Sequence, residues 1–361
     1  MRRFVLKSVL FLFPFVIVIG VELFILPIDF FTFRIWEAFV IKEIRSICPG
    51  RFYPRMELTK LETGGDLARG TPFAIPKRVN WVTDRYGFRK KDLGGTKPQV
   101  VIVGDSNILG SRLTQEEMFS EVLENRLKVP VYPYAPVGSI NAFLKDSRFE
   151  QHPPAIVILS VIERSIFDLP AAKQPKKRAG GQFFFKWRDR FQEIRWVQVA
   201  GIFLDRLCKM NMLHYFRARV GKGPGQGFRP FPSAFGPMYF LQGEEANREV
   251  PEDRFEGAIK MLETCKNILK ERGIRFIFAP IPNKETIYYE YLPSRRRPAF
   301  LDHLVQELKR RNIETVDSQK AFEDEYRKNG TLLYFLDDTH WNENGVRLMA
   351  GLLVKAIGEK E

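Results

Sequence analysis

The sequence is poor in cysteine and histidine. It has three cysteines and four histidines in 361 residues, and no two cysteines have the C-x-x-C spacing. So sparse a set excludes a disulfide framework and a thiolate zinc site. A second long apolar run is also absent, which argues against a polytopic membrane protein. We therefore expect a protein that works without a metal or another cofactor.

The charge of the chain is strongly positive. Lysine and arginine exceed aspartate and glutamate by 14, and the segment 173–229 alone contains 14 basic and 3 acidic residues. Such an excess admits nucleic acid, anionic lipid or an acidic polymer as a partner. For this basic segment three roles stay open: a solvated or lipid-facing loop region, recognition of an acidic polysaccharide, or protein docking.

The N-terminus resembles a membrane anchor. Arg2 and Arg3 precede an apolar run from Val9 to Ile28 whose only charge is Glu22. Twenty helical residues span about 30 Å, the thickness of a hydrocarbon core. A cleaved signal peptide is the alternative, but small residues suited to cleavage do not follow the run. The leading charges favour a cytoplasmic N-terminus, so we expect a single-pass inner-membrane protein whose remaining residues face the periplasm or exterior, away from nucleic acid.

The rest of the chain has an α/β pattern. A linker or membrane-proximal segment over 35–79 is expected between the anchor (1–34) and a domain over 80–361, with an insertion over 169–250. Short apolar runs predict about five buried strands, at 100–103, 129–134, 155–161, 275–280 and 314–316. Helical periodicity occupies 115–127, 254–272, 299–311 and 344–357. This alternation predicts a parallel sheet covered by helices on both faces.

A serine and a histidine stand at the two ends of this domain. Ser106 follows the first predicted strand in a Gly-Asp-Ser run, at the sheet edge where open α/β folds bind ligands. A serine nucleophile needs a base and a group that orients the base. His340 lies before the last predicted helix, with Asp337 and Asp338 three and two residues upstream. We favour Asp338 as the orienting group, and Asp337 remains the alternative.

Together these motifs resemble the SGNH (GDSL-type) hydrolase superfamily, and more narrowly its AlgX/AlgJ-related polysaccharide O-acetyltransferases. The narrower resemblance is carried by four runs: NWVTDRYGFR at 80–89, VIER at 161–164, PNKETIY at 282–288 and DTHW at 338–341. It covers about 80–168 and 238–357. It implies a flavodoxin-like three-layer sandwich and a Ser106–His340–Asp338 triad. In the alginate acetyltransferases the Asp-x-His-Trp run precedes the serine motif, whereas here it follows.

The resemblance also bears on the rest of the site. The superfamily usually supplies an oxyanion-hole asparagine after its third conserved strand, but this chain has Glu163 and Arg164 there. We expect Arg164 to replace that donor, together with the amides of Ser106 and Gly138. Glu163 and Arg164 forming only a structural ion pair is the alternative.

Two further residues are assigned to the site. Lys284 and Tyr288 follow the fourth predicted strand. They are expected either to contact substrate or to pack the loop in which they lie.

The resemblance implies an O-acetyltransferase that forms an acyl-serine and passes the acetyl group to a polysaccharide acceptor. A membrane-bound acyltransferase is the expected donor partner. Two other functions stay open. A carbohydrate or lipid esterase would release the acetyl group to water, and a noncatalytic glycan-binding assembly component would retain only the fold.

Overall fold

A computed structural model describes residues 1–45, 47–136, 140–174, 191–212, 215, 228–243 and 250–358. Its helices are α1 (Arg2–Gly20), α2 (Ile35–Phe39), α3 (Phe119–Leu127), α4 (Ile140–Leu144), α5 (Ser147–Gln151), α6 (Arg195–Lys209), α7 (Glu252–Glu271), α8 (Lys284–Ile287), α9 (Phe300–Arg310), α10 (Ser318–Asn329) and α11 (Glu343–Gly358). Its strands are β1 (Glu57–Glu62), β2 (Lys77–Val82), β3 (Val100–Gly104), β4 (Val131–Tyr134), β5 (Ile156–Ser160), β6 (Phe231–Ser233), β7 (Gly236–Met238) and β8 (Arg275–Phe278).

A four-stranded parallel sheet forms the centre of the fold. Its strand order is β4-β3-β5-β8, so β3, the first of these four strands in the chain, lies inside the sheet. All four strands are almost entirely buried, and the two inner strands, β3 and β5, are rich in β-branched residues, as expected for a sheet covered on both sides. The predicted α/β class and parallel sheet are confirmed.

Helices cover both faces of the sheet. Val101 and Val103 of β3 join a core with residues of α4, α5, α7 and α9. Val100 and Ile102 point the opposite way, into a core with residues of α3, α10 and α11. Because successive strand residues alternate between faces, this division makes the domain the predicted three-layer sandwich.

The predicted fifth strand is much shorter than expected. Only Thr315 forms a bridge with Phe278 of β8, although Val316 also donates its amide to the Phe278 carbonyl oxygen. The chain turns directly into α10, a helix that the sequence analysis did not predict. The mean hydropathy of α10 is low, and only one face of the helix is buried, so its pattern was weak.

One described helix is long and apolar enough to span a bilayer. It comprises α1 and the π-helical turn Val21–Ile25 that continues it, with a mean hydropathy of 2.6 over its most apolar window. Most of this surface is exposed in the isolated chain. The length and composition fit both the predicted anchor and the alternative, a signal sequence.

The segment 35–79 is folded onto the domain, so the linker expected there is not an extended connector. Phe39, Phe52 and Tyr53 are fully buried in the same core as α3 and α11. β1 and β2 pair in an antiparallel ribbon that belongs to this layer. Proline, glycine and charge made the segment look like a linker, but its scattered aromatic residues bury enough apolar surface to fix it.

Candidate active site

The candidate serine lies in a tight turn directly after β3. Gly104 is the last residue of the strand, and only glycine fits there, because a Cβ would lie 2.5 Å from the Ser160 carbonyl oxygen of β5. The Asp105 carboxylate then accepts hydrogen bonds from the amides of Asn107 at 2.8 Å and Ile162 at 2.7 Å. This carboxylate ties the ends of two adjacent strands together and leaves Ser106 at the carboxyl edge of the sheet.

Ser106, His340 and Asp338 form a hydrogen-bonded row. His340 Nε2 lies 2.8 Å from Ser106 Oγ, and His340 Nδ1 lies 2.5 Å from Asp338 Oδ1. Asp338 is fully buried and His340 is 6% exposed, whereas Ser106 is half-buried. A carboxylate on one imidazole nitrogen and a hydroxyl on the other is the arrangement that lets histidine take a proton from serine.

The two neighbouring aspartates have different surroundings. Asp338 contacts His340, whereas the Asp337 carboxylate pairs with Arg112 and accepts a hydrogen bond from the Gly65 amide at 2.7 Å. Asp337 makes no hydrogen bond to His340 among the described residues. The geometry therefore favours Asp338 as the group that orients the imidazole.

Arg34 supplies a positive charge on the far side of Asp338. Its guanidinium pairs with the Asp338 carboxylate and donates to Ser111 Oγ at 2.9 Å. Burial raises the pKa of Asp338, but its interactions with His340 and Arg34 outweigh this effect and hold that pKa well below its usual range. The carboxylate beside the histidine is therefore kept ionised.

A loop that precedes β2 covers the aspartates from the other side. Gly65 approaches so closely that a Cβ would lie 1.9 Å from the Asp337 carbonyl oxygen. The Asp66 amide donates to Asp338 Oδ2 at 3.1 Å, and its carboxylate accepts from the amide and hydroxyl of Thr339 at 3.0 and 2.9 Å. Burial and the nearby Asp338 charge raise the pKa of Asp66.

Sequence reasoning missed Arg34, Asp66 and Arg112. Each contacts a residue far away in the chain; Arg34 and Asp338 are separated by 304 positions. No local pattern reports such a pair. The one usable signal was the glycine pair before Asp66, since adjacent glycines permit close backbone approach.

Asn107 and Trp341 join the serine turn to the histidine loop. The Trp341 indole nitrogen donates to the Asn107 carbonyl oxygen at 3.3 Å, and the Trp341 amide donates to Asn107 Oδ1 at 3.5 Å. Both side chains are buried. These contacts fix the separation of the two segments that carry Ser106 and His340.

Lys284 and Tyr288 form hydrogen bonds to the backbone of the histidine loop. Both side chains are fully buried, and the Tyr288 hydroxyl accepts the Leu333 amide at 2.8 Å. The acceptors of Lys284 Nζ, at 2.6, 2.9 and 3.2 Å, are the carbonyl oxygens of Phe335, Leu336 and Asp338. Burial lowers the pKa of Lys284 to about 8. Because these polar atoms bond within the protein, the contacts favour loop packing over substrate contact.

Glu163 and Arg164 do not pair with each other. The buried Glu163 carboxylate accepts hydrogen bonds from the Asn283 amide at 2.8 Å and the Thr286 hydroxyl at 2.6 Å. Arg164 donates from its amide and guanidinium to Asn283 Oδ1 at 3.3 and 3.4 Å. In the described parts of the chain Arg164 makes no hydrogen bond to Ser106. Both residues hold the loop after β8.

Of the two amides predicted for the oxyanion hole, that of Ser106 belongs to the described residues. Gly138 lies outside the described residues. The Ser106 amide has no hydrogen-bond acceptor among the described residues, while the Ser106 carbonyl oxygen accepts from Ser111.

Three side chains at the site have the chemistry of metal ligands. Among the described residues Asp66, Asp338 and His340 bring one ligand atom each within 4.8 Å of one another. Arg34 already neutralises the Asp338 carboxylate, and Thr339 occupies both oxygens of Asp66. A cation here would have to displace a guanidinium and several hydrogen bonds, so the donor set fits an internal hydrogen-bond network better than an ion.

Comparisons with known proteins agree with the sequence resemblance. Residues 239–361 match the family model described as SGNH hydrolase-like domain, acetyltransferase AlgX. The protein named "Probable alginate O-acetylase AlgJ" from Pseudomonas fluorescens is 28% identical over 127 residues. That alignment covers 34% of this chain and only 32% of the relative. The resemblance to AlgX/AlgJ-related proteins is confirmed, and the family-model match lies in the C-terminal part of the chain.

Solved structures with a similar chain path include two esterases. An acetyl xylan esterase, AlAXEase, is 14% identical with a TM-score of 0.37, covering 72% of this chain and 98% of its own. A catalytic mutant of Axe2, an acetylxylan esterase from Geobacillus stearothermophilus, is 13% identical with a TM-score of 0.32, covering 73% and 95%.

Replacing Arg34 by Met is expected to destabilise the protein strongly. The change leaves the Asp338 carboxylate buried without its cation, which typically costs about 3–5 kcal/mol. The free energy of unfolding of the full chain in detergent measures the effect. Arg85→Met is the matched control, because its pair with Asp92 is partly exposed and such pairs contribute about 1 kcal/mol or less. Equal losses of unfolding free energy in the two variants would contradict the role of Arg34 as the cation that compensates the buried Asp338 carboxylate.

Glu163 is expected to make stability depend on pH. Burial raises the pKa of Glu163 to about 7, above its ordinary value of 4.5, so folding favours the protonated form. Wild-type protein should therefore lose stability relative to Glu163→Gln as the pH rises from about 4.5 to 7, by at most about 3 kcal/mol. Unfolding of both proteins across this range measures the difference. A difference that does not change with pH would show that the carboxyl keeps one ionisation state.

Proposed function

We propose that this protein is a serine-dependent O-acetyltransferase that moves acetyl groups to a polysaccharide through an acyl-serine intermediate. The observation that carries this proposal is the Ser106–His340–Asp338 row at the carboxyl edge of the sheet. The AlgX domain match over 239–361 includes two of these three residues and supports acetyl transfer as the reaction.

The row can run both halves of an acyl transfer. Ser106 Oγ attacks the carbonyl carbon of an acetyl ester, and its proton passes to His340 Nε2. The leaving oxygen then takes that proton as the ester bond breaks, which leaves acetyl-Ser106. In the second half an acceptor hydroxyl gives its proton to His340 and attacks the acetyl carbonyl carbon. The bond from Ser106 Oγ to the acetyl group then breaks, and Ser106 Oγ takes the proton back from His340. Asp338 balances the charge of the imidazolium in both halves.

Negative charge on the carbonyl oxygen needs hydrogen-bond donors. We assign the amides of Ser106 and Gly138 to this role. One donor aimed at the developing oxyanion raises the rate about 10²–10³-fold. Arg164 is our candidate for a third donor. β5 ends at Ser160 and the chain turns into a short helix at Glu163, and Asn283 holds Arg164 at this edge of the sheet.

What removes the acetyl group from Ser106 decides the reaction. A sugar hydroxyl makes the enzyme a transferase, and water makes it an esterase. The name of the AlgJ relative, an alginate O-acetylase, favours transfer. The order of the motifs, with the serine first as in ordinary SGNH hydrolases, is the observation that favours an esterase. A noncatalytic assembly component is disfavoured by the complete row.

Ser106→Ala and His340→Ala are each expected to abolish acetyl transfer, and the double variant should lose little more than either, because the residues act as one unit. Turnover of p-nitrophenyl acetate, with and without an oligosaccharide acceptor, measures this. Intact mass should detect acetyl-Ser106 in the wild type. Acceptor-dependent product supports a transferase, acceptor-independent release supports an esterase, and no turnover or acylation contradicts both.

Asp338→Asn and Asp337→Asn serve as controls in the same assay. Asp338→Asn removes the carboxylate that orients His340, so its turnover should fall far more than its stability explains. Asp337→Asn loosens a loop through Arg112 and Gly65 and should act through folding. If Asp337→Asn is the more damaging to turnover per folded molecule, Asp337 is the orienting group.

We further propose that α1 is an uncleaved anchor of a single-pass inner-membrane protein whose domain faces the periplasm or exterior. The Glu22 carboxylate, near the end of the apolar helix, accepts the amides of Asn211 and Met212 at 2.8 and 3.1 Å. The Phe24 ring also packs against Phe203 in a tilted arrangement, with ring centroids 5.9 Å apart. Cleavage after the helix would remove these contacts. Acetyl groups delivered through the membrane by a membrane-bound acyltransferase would suit this placement.

The anchor predicts the location of the C-terminus. A reporter active only outside the cytoplasm, fused after Glu361, should be active, and the protein should stay with the membrane after alkaline carbonate extraction. A reporter inserted before Arg2 that works only in the cytoplasm is the matched control. Recovery of a soluble product beginning near residue 30 would show cleavage instead.

A further inference from the structure

Helix α6 of the basic insertion buries its polar side and exposes its apolar side. Its buried side chains are Gln198, Asp205 and Lys209, which are 2%, 0% and 1% exposed. A helix on the surface of a soluble domain has the opposite distribution, with an apolar stripe against the core. The exposed apolar side of α6 therefore indicates an apolar binding partner outside the domain.

Directional contacts fix this orientation of the helix. Asp205 accepts the amides of Glu43 and Ile44, both at 2.8 Å, and the Tyr53 hydroxyl at 2.7 Å. Gln198 donates to the carbonyl oxygen of Arg85 at 2.8 Å. Rotating α6 to bury its apolar side would break all of these bonds and leave a buried tyrosine hydroxyl unpaired. The outward stripe is thus a built feature of the fold.

The exposed stripe is continuous along the helix. Trp196, Val199, Phe203 and Leu204 are 67%, 59%, 40% and 47% exposed. Their spacing places them on one face of an α-helix. Within the described residues, the Phe24 ring lies beside Phe203 and the Phe191 ring beside Trp196, and the four side chains otherwise stay exposed. Aromatic and aliphatic residues of this size are seldom grouped on a water-facing helix without a binding role.

The stripe adjoins the end of the membrane-length helix. The Phe203 ring lies against Phe24, itself 75% exposed. Arg206 Nη2 donates to the Glu22 carbonyl oxygen at 3.2 Å, and Ile25 beside them is 72% exposed. Where a membrane-spanning helix meets the aqueous phase, a neighbouring apolar stripe lies at the level of the lipid headgroups.

We propose that α6 is an interfacial membrane helix that inserts its Trp196–Leu204 stripe into the headgroup region of a phospholipid bilayer. Such helices bury their apolar face about 5–10 Å into the headgroup and acyl boundary and gain from anionic lipid. The charge fits, because the segment 173–229 that contains α6 has 14 basic and 3 acidic residues. The inference rests on α1 being in the membrane and is independent of the acetyl-transfer chemistry.

The full chain in vesicles tests the proposal. Val199→Cys and Phe203→Cys are made in a Cys208→Ser background, since Cys208 is exposed whereas Cys48 and Cys265 are buried. Each is labelled with the environment-sensitive fluorophore NBD. The vesicles contain phosphatidylcholine and phosphatidylglycerol, with a doxyl quencher on the fifth acyl carbon of a fraction of the lipid. Lys320→Cys, on the exposed face of α10, is the matched control.

Quenching at positions 199 and 203 should exceed that at position 320 at least threefold, and removing phosphatidylglycerol should weaken it. Quenching equal to that of the control overturns the proposal. So does blue-shifted emission without lipid quenching, since the stripe would then be covered by protein. Brominated lipid supplies a second measurement without a label. The tryptophan fluorescence lost on adding brominated lipid is compared between wild type and Trp196→Phe, and the difference is the quenching of Trp196. Quenching of Trp196 supports the proposal, and equal losses in the two proteins overturn it.

A label at Val16→Cys separates the two membrane proposals. It should be quenched whenever α1 lies in the bilayer. Quenching at 16 without quenching at 199 and 203 overturns the role of α6 alone, whereas no quenching at 16 overturns the anchor as well.

Discussion

A buried carboxylate has to be compensated, and at Asp338 this requirement organises the whole site. An unpaired charge in a protein interior costs several kcal/mol, so the carboxylate needs both a cation and hydrogen-bond donors. His340 and the Asp66 amide supply donors, and Arg34 supplies the cation. Arg34 comes from the segment just after the apolar helix. The site is therefore complete only when the N-terminal segment has folded onto a domain that ends more than 300 residues later.

The adjacent Asp337 shows how two like residues take separate roles. Its ion pair with Arg112 and the hydrogen bonds from the amides of Gly65 and Ile75 tie the histidine loop to the loop before β2. Lys284 holds the histidine loop separately, through the carbonyl oxygens of Phe335 and Leu336. The histidine is thus carried on a loop that is clamped on both sides, which limits the movement of His340 relative to Ser106.

The sequence was informative wherever a feature is local or repeats with a fixed period. Strands such as β3 and β5 are runs of β-branched residues, and Ser106 and His340 stand at the ends of such elements, so both were predictable. Arg34 and Asp66 were not, because their roles depend on contacts across the whole chain. Helix α6 has a clear helical period, but period alone does not say which face is buried. The hydrogen bonds of Asp205 and Gln198 in the folded chain reveal that its polar face turns inward.

The short connection between Ile25 and Arg34 also sets a working distance. Nine residues reach about 30 Å at most when fully extended, and Arg34 is bonded directly to Asp338. With α1 in the membrane, as we propose, this connection confines Ser106 to a layer close to the bilayer surface. Under the proposed function, an acetyl donor in the same membrane would meet the site by a search in two dimensions. A polysaccharide acceptor would then be modified only in the segments that lie close to the surface.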